Sequence, residues 1–111
     1  MIDFSKMPCK YWSERTKISY LQRRIIVHSI LYYIFDYPII SDSVYDDLSH
    51  QLVEMQSKAN FEELSKTTYF YCMNDFDGST GFDLYSRLSD YDKEFLFKVA
   101  EMVIYAFENK K

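Results

Sequence analysis

Two glycines and two prolines in 111 residues leave little chemistry for sharp reversals. Long helices are favoured by that scarcity. The two cysteines, Cys9 and Cys72, are too few and too far apart for a disulfide framework. They form no CxxC or Cys/His ligand pattern, so no metal is expected, and they read as thiols in a reducing cytoplasm. Long hydrophobic runs are absent. The most apolar stretch, Ile25 to Phe35, is interrupted by His28 and Ser29 and is too short to span a bilayer. The opening MIDFSKMPCKYW lacks the apolar core of a secretory signal. A cytoplasmic protein without a membrane partner is expected.

What is present is a composition of 48% hydrophobic and 27% charged residues, typical of a folded chain. Its length suits a single domain over 1–111. Aromatics reach 19%, with 11 Tyr and 9 Phe. The net charge of −4 is unevenly spread. Residues 1–30 carry six basic side chains (Lys6, Lys10, Arg15, Lys17, Arg23, Arg24) and two acidic ones (Asp3, Glu14), a balance of +4. The remainder carries seven basic and fifteen acidic, a balance of −8. Arg15, Lys17, Arg23 and Arg24 read as a solvated helix face, because the rest of the chain would repel DNA; direct DNA binding is disfavoured.

The periodicity predicts a mostly α protein, a small helical domain built on a helix–elbow–helix pair and a C-terminal helix. A first helix runs from about Ser13 to Phe35, capped by Ser13 or Thr16, with Ile18, Leu21, Ile25 and Tyr32 on one face. Its second half is apolar nearly all round and should pack on several sides. Pro38 ends it. Ser41 caps a second helix that runs to about Ala59, with Tyr45, Leu48, Leu52 and Met55 as its buried stripe. Phe61–Leu64 is a helical turn or a loop. Thr67–Cys72, rich in β-branched and aromatic residues, suits a short extended segment, with a hairpin possible over 67–80. Asp75–Gly81 is turn chemistry, and Phe82–Leu88 a short helix. Ser89 caps the final helix, with Asp92 as a capping-box-like partner. Leu96, Val99, Ala100, Val103, Ile104 and Phe107 form its buried face.

The informative stretch is LYYIFDYPIISDSVYDDL, residues 31–48. Tyr32 and Tyr33 close one helix, and Asp42, Tyr45 and Asp46 open the next. Spacings of three and four bring the latter three onto neighbouring surface. Rings can stack on a flat heterocycle, with extra attraction for a cationic one. Carboxylates accept hydrogen bonds from ribose hydroxyls. As plain structure, the same tyrosines are core residues with hydroxyls on the rim, and the same aspartates favour a helix N-terminus.

This motif, Tyr-(His/Tyr)-x-x-Asp-x-Pro-x-Ile-(Ser/Pro)-Asp-x-x-Tyr-Asp-x-Leu-x-x-x-Leu over residues 29–52, resembles the signature of the N-terminal domain of bacterial NAD-dependent DNA ligases. The resemblance implies a helical domain that grips the nicotinamide mononucleotide half of NAD. Carried over by position, Tyr32 and Tyr45 would flank the nicotinamide ring, and Asp42 and Asp46 would contact the ribose and nicotinamide side. Asp36 and Pro38 would shape the elbow, and Tyr33 stands where the family usually has a nucleotide-holding His. A ligase also needs an adenylated lysine in Lys-x-Asp-Gly, and these 111 residues contain none. The expectation is therefore a non-catalytic, stand-alone relative that binds a nicotinamide nucleotide (NMN or NAD) or a protein partner.

Two alternatives accompany it. One is a small acidic, virus-encoded inhibitor of a host nucleic-acid enzyme or defence system, with Asp75, Asp77, Asp83, Asp90 and Asp92 imitating phosphates. The other is a phosphatase using the DxDG-like Asp75-Phe76-Asp77-Gly78, although too few residues follow for that fold. A calcium loop starting at Asp75 fails, with Thr80 and Ser86 where Gly and Glu are required. His28 reads as a satisfied, partly buried side chain and His50 as a surface one.

Overall fold

Ser13 opens the first helix because its hydroxyl accepts the Thr16 N–H, satisfying one orphan donor of the first turn. In the computed structural model, which describes residues 2–4, 11–79 and 81–110, this helix, α1, spans Glu14–Tyr33. Cys9, Lys6, Lys10 and Thr80 lie outside the described residues. The all-round apolar half of α1 has the expected consequence. Ile25, Ile26, Val27, Ile30 and Leu31 are all buried, and α1 packs against both of the other long helices.

Pro38 and Asp36 share the work of ending α1. Asp36 adopts a left-handed φ of 50°, a conformation that Asp tolerates better than most residues. The chain thereby turns back, and the Tyr37 N–H closes onto the Leu31 carbonyl at 2.8 Å. The Ser41 hydroxyl then accepts the Val44 N–H and starts α2, Asp42–Lys58. Leu48 and Leu52 of its stripe are buried, with Tyr45 and Met55 packed at the edges of the core. Asn60 caps α3, Phe61–Ser65.

The extended segment expected over residues 67–72 is not there. Thr67 to Tyr69 form a turn that leads into a short helix, α4, Phe70–Met73, and no strand occurs among the described residues. The cause is a fully buried glutamine. Gln22 Nε2 donates to Gln56 Oε1 at 2.9 Å and to Thr67 Oγ1 at 3.0 Å. Gln22 Oε1 accepts the Tyr69 N–H at 3.1 Å. Gln56 Nε2 in turn donates to the Met73 carbonyl at 3.1 Å. The side chains of α1 and α2 thus satisfy backbone and hydroxyl groups that a partner strand would otherwise have to meet.

Only Tyr85–Arg87 of the expected 82–88 helix is helical, as a single 3-10 turn. Ser89 then caps α5, Asp90–Glu108, by accepting the Asp92 N–H. The expected reciprocal bond from Asp92 does not form. The Tyr71 hydroxyl stands in for it, accepting the Ser89 N–H at 3.0 Å and donating to Asp92 Oδ2 at 2.6 Å. Leu96 and Ala100 anchor α5 on α1, whereas Phe107 is mostly outside the core. Arg23 reaches over the Phe95 ring, 5.3 Å from its centroid, and ties the two helices at the surface. Among the described residues no helix is long and apolar enough to cross a membrane.

Gln22→Leu should fill the same space while leaving the buried Tyr69 N–H without an acceptor. A loss of about 2–4 kcal/mol in urea unfolding is expected, larger than for most substitutions of similar volume. An unchanged midpoint would refute the central role of this amide.

Candidate functional site

The last two turns of α1, the elbow and the first turns of α2 enclose a cavity of about 340 Å³. From α1 come His28, Ser29, Tyr32 and Tyr33, which share one face because they are spaced by three and four. Pro38, Ile39 and Ile40 of the elbow add apolar surface, and α2 contributes Asp42, Tyr45 and Asp46. Gly78 and Ser79 of the loop after α4 close the set.

Tyr45 holds the corner together. Ser29 Oγ donates to the Ile25 carbonyl at 2.9 Å, which leaves it to accept the Tyr45 hydroxyl at 3.0 Å. This hydroxyl pair links α1 to α2 beneath the cavity. Burial raises the Tyr45 phenol above its ordinary value, so it stays protonated and able to donate. Gly81 lies against the same pair. A Cβ there would overlap both Ser29 Oγ and the Tyr45 hydroxyl, so the glycine is required by close approach. Gly78 is required for a different reason, a left-handed φ of 86°.

The other rings are more open. Tyr32 and Tyr33 are 46% and 40% exposed, so each ring is partly open to solvent. They meet edge to face with centroids 4.7 Å apart, and Tyr33 makes a second such contact with Phe82 at 5.5 Å. Asp42 and Asp46 are exposed at the rim and have no hydrogen-bond or ion-pair partner among the described residues. Asp42 also sits in the first turn of α2, where the helix dipole favours a negative charge.

His28 departs from expectation. It is partly buried, but its Nδ1 is sealed from solvent without a hydrogen-bond partner among the described residues. Burial, with Arg24 one turn away, lowers its pKa to about 4. At neutral pH the ring is therefore uncharged. His28 could have been placed at the site from its spacing of four to Tyr32. Gly78 and Ser79 had no such signal, being some thirty residues away along the chain.

The remaining candidates lie elsewhere. Asp36 is outside the cavity lining and serves as the left-handed corner of the elbow. Asp75 is held by Arg87 at 2.6 Å, and its carboxyl sits below the usual carboxylate range for that reason. Asp77 accepts the Ser79 N–H at 3.0 Å and so shapes the Gly78 turn. Asp83 is exposed, and its charge acts on Arg87 together with that of Asp75. The phosphatase reading requires a strand before Asp75, where the structure has helix α4. No group of three or more His, Cys, Asp or Glu able to hold a metal occurs among the described residues. Cys72 is buried, and that burial pushes its thiol up to about 11, so it is an unreactive core residue. Of the four basic residues read as a solvated helix face, three are engaged locally, Arg15 with Glu63 at 3.0 Å, Lys17 with Glu14 at 3.3 Å and Arg23 over Phe95.

Chemically, the cavity offers aromatic walls, two rim carboxylates, hydroxyls and a neutral imidazole. That set suits a flat, electron-poor ring carrying a hydroxylated sugar. A family model described as the DNA ligase-like, N-terminal NAD+-binding domain matches residues 12–67, half of the chain. Comparisons with curated proteins and with solved structures give no match.

Two outcomes follow from this geometry. Gly81→Ala should drive Ser29 and Tyr45 apart and lower stability by about 2 kcal/mol, read as a reduced melting temperature; wild-type stability would show the contact to be soft. His28 has a lower pKa folded than unfolded, so below pH 6.5 the unfolded chain binds the proton first. Stability should fall by about 2 kcal/mol as pH drops from 6.5 to 4, allowing for solvent at the ring. His28→Gln should flatten that slope in denaturant titrations at several pH values.

Proposed function

The chain belongs to the DNA ligase-like N-terminal NAD+-binding domain family, and from that premise we propose that its cavity holds the nicotinamide–ribose end of a nicotinamide nucleotide (NMN or NAD) without performing chemistry on it. One observation carries this reading. Tyr32, Asp42, Tyr45 and Asp46, drawn from two helices inside the matched segment, line a single cavity. The Tyr32 ring provides an open face or edge for stacking, and Tyr45, tethered through its hydroxyl, provides a fixed one. The carboxylates of Asp42 and Asp46 are unoccupied acceptors for ribose hydroxyls and attract a pyridinium ring.

The described residues lining the cavity include no activated nucleophile. His28 is neutral, Ser29 is committed to the Ile25 carbonyl and to Tyr45, and the Tyr45 phenol is held protonated. Together with the missing Lys-x-Asp-Gly motif, this supports a binding role for these 111 residues. Tyr33 replaces the family's usual His, and His28 supplies an imidazole to the same cavity from four residues before Tyr32. No observation favours the acidic-inhibitor alternative, since Asp75 and Asp77 are occupied within their own loop.

Nicotinamide mononucleotide should raise the melting temperature, because a ligand of the native state stabilises it by about 2.7 kcal/mol at a hundredfold excess over Kd. Tyr32→Ala and Asp46→Ala should each abolish the rise while leaving the unliganded melt near that of the wild type. No shift at millimolar ligand, in a chain that melts cooperatively, would sink the proposal.

A further inference from the structure

Helix α5 carries apolar side chains on two opposite faces. Leu96 and Ala100 are buried on the side that packs against α1. On the other side Tyr91, Met102 and Tyr105 are 77%, 69% and 72% exposed, and Phe95 is exposed as well. These four, with Lys98 among them, follow one another at spacings of 4, 3, 4 and 3 residues. At 3.6 residues per turn the five positions fall within about 80° of arc, roughly opposite Leu96 and Ala100. Tyr91 and Phe95 stack with ring centroids 6.4 Å apart and planes 10° from parallel, so the start of the stripe is a flat apolar plate. All five positions lie beyond residues 12–67, the segment matched by the ligase-like family model, and none lines the cavity.

We propose that this stripe is the contact between two copies of the chain, with α5 lying against α5. Alternating spacings of 4 and 3 are the period at which one helix meets another along a coiled-coil seam, and a second α5 presents the same period. The area is sufficient. Counting roughly 200 Å² for each whole side chain, the four apolar residues expose about 500 Å² per copy, so a symmetric pair withdraws about 1,000 Å² from water, the lower limit for a specific interface. Lys98 is the single charged residue of the seam. Its Nζ lies 3.5 Å from Glu94, so the methylene stem covers the seam while the charge stays at its edge. A lone lysine in such a position costs stability but fixes the register and holds the assembly to two strands.

The acidic residues set the direction of pairing. Asp90, Glu94, Glu101 and Glu108, all exposed, run down one edge of the stripe. The opposite edge holds Val99 and Ala106. In an antiparallel pair each acidic edge would face its own counterpart. In a parallel pair it faces the Val99 and Ala106 edge instead, and like charges stay apart. The pair is therefore parallel and in register, each seam residue meeting its own copy. Two heptads of seam make a small interface, so a dissociation constant on the order of 10–100 μM is expected.

Sedimentation equilibrium of the 111-residue chain from about 5 μM to about 1 mM should show the mass rising from one copy to two and no further. Met102→Glu should weaken the pairing at least about tenfold while leaving the melting temperature of the dilute chain unchanged, because the side chain is exposed. Lys98→Leu should tighten it about tenfold and admit higher oligomers. Oxidised Tyr91→Cys should give a covalent dimer well above the level that Cys9 and Cys72 produce in the unmodified chain. A single copy throughout the range, a mass beyond two copies, or a dimer that Met102→Glu leaves intact overturns the proposal. So does a Lys98→Leu chain that pairs no more tightly, since Lys98 would then lie outside the seam. Covalent pairing that requires a mixture of Tyr91→Cys and Tyr105→Cys chains overturns the parallel arrangement. The concentration series on the unmodified chain decides whether a pair forms even where a variant fails to fold.

Discussion

A single buried amide, Gln22, organises this molecule. It sits in the middle of α1 with both ends of its amide hydrogen-bonded inward, to Gln56 of α2, to Thr67 and to the Tyr69 backbone. Buried polar groups are costly when unmatched and directional when matched. Apolar packing of α1 against α2 and α5 would tolerate small slides along the axis. The amide network does not, because each bond has one partner at one height. It therefore fixes where the chain after α3 must dock, and through α4 it sets the start of the loop that reaches the cavity.

The cavity depends on that placement. Its helical walls come from neighbouring parts of the chain, but Gly78, Ser79 and the sealing Gly81 come from the docked loop. Gly81 can approach the Ser29–Tyr45 pair only because the chain emerges from α4 at the right point. The two glycines of the sequence are thus both used within four residues, one for its left-handed backbone and one for its missing side chain. In a chain so poor in glycine, their concentration here marks where backbone and side chains crowd together.

Charge is handled differently in the two acidic regions. In the loop after α4, Asp75 is matched by Arg87 and Asp77 by a backbone amide, so both serve the loop's own shape. At the rim of the cavity, Asp42 and Asp46 are left for solvent or ligand. The difference separates carboxylates that stabilise structure from those available for binding, and it could not be judged from counting acids. Likewise three of the four basic residues of α1, Arg15, Lys17 and Arg23, are met by Glu63, Glu14 and the Phe95 ring.

The sequence by itself determined the local events. Ser13, Ser41 and Ser89 cap the three long helices, Pro38 and Asp36 make the elbow, and the spacing of Tyr32, Asp42, Tyr45 and Asp46 gathers them at one corner. Each of these is governed by neighbours within a turn or two, where periodicity and capping chemistry operate. Only the tertiary structure decided that Thr67–Cys72 is a turn and helix, that Tyr71 completes the cap of α5, and that His28, Gly78 and Ser79 join the cavity. In those places the deciding partner lies far along the chain, and a buried hydrogen bond outweighs the weak intrinsic preference of β-branched and aromatic residues for extended backbone.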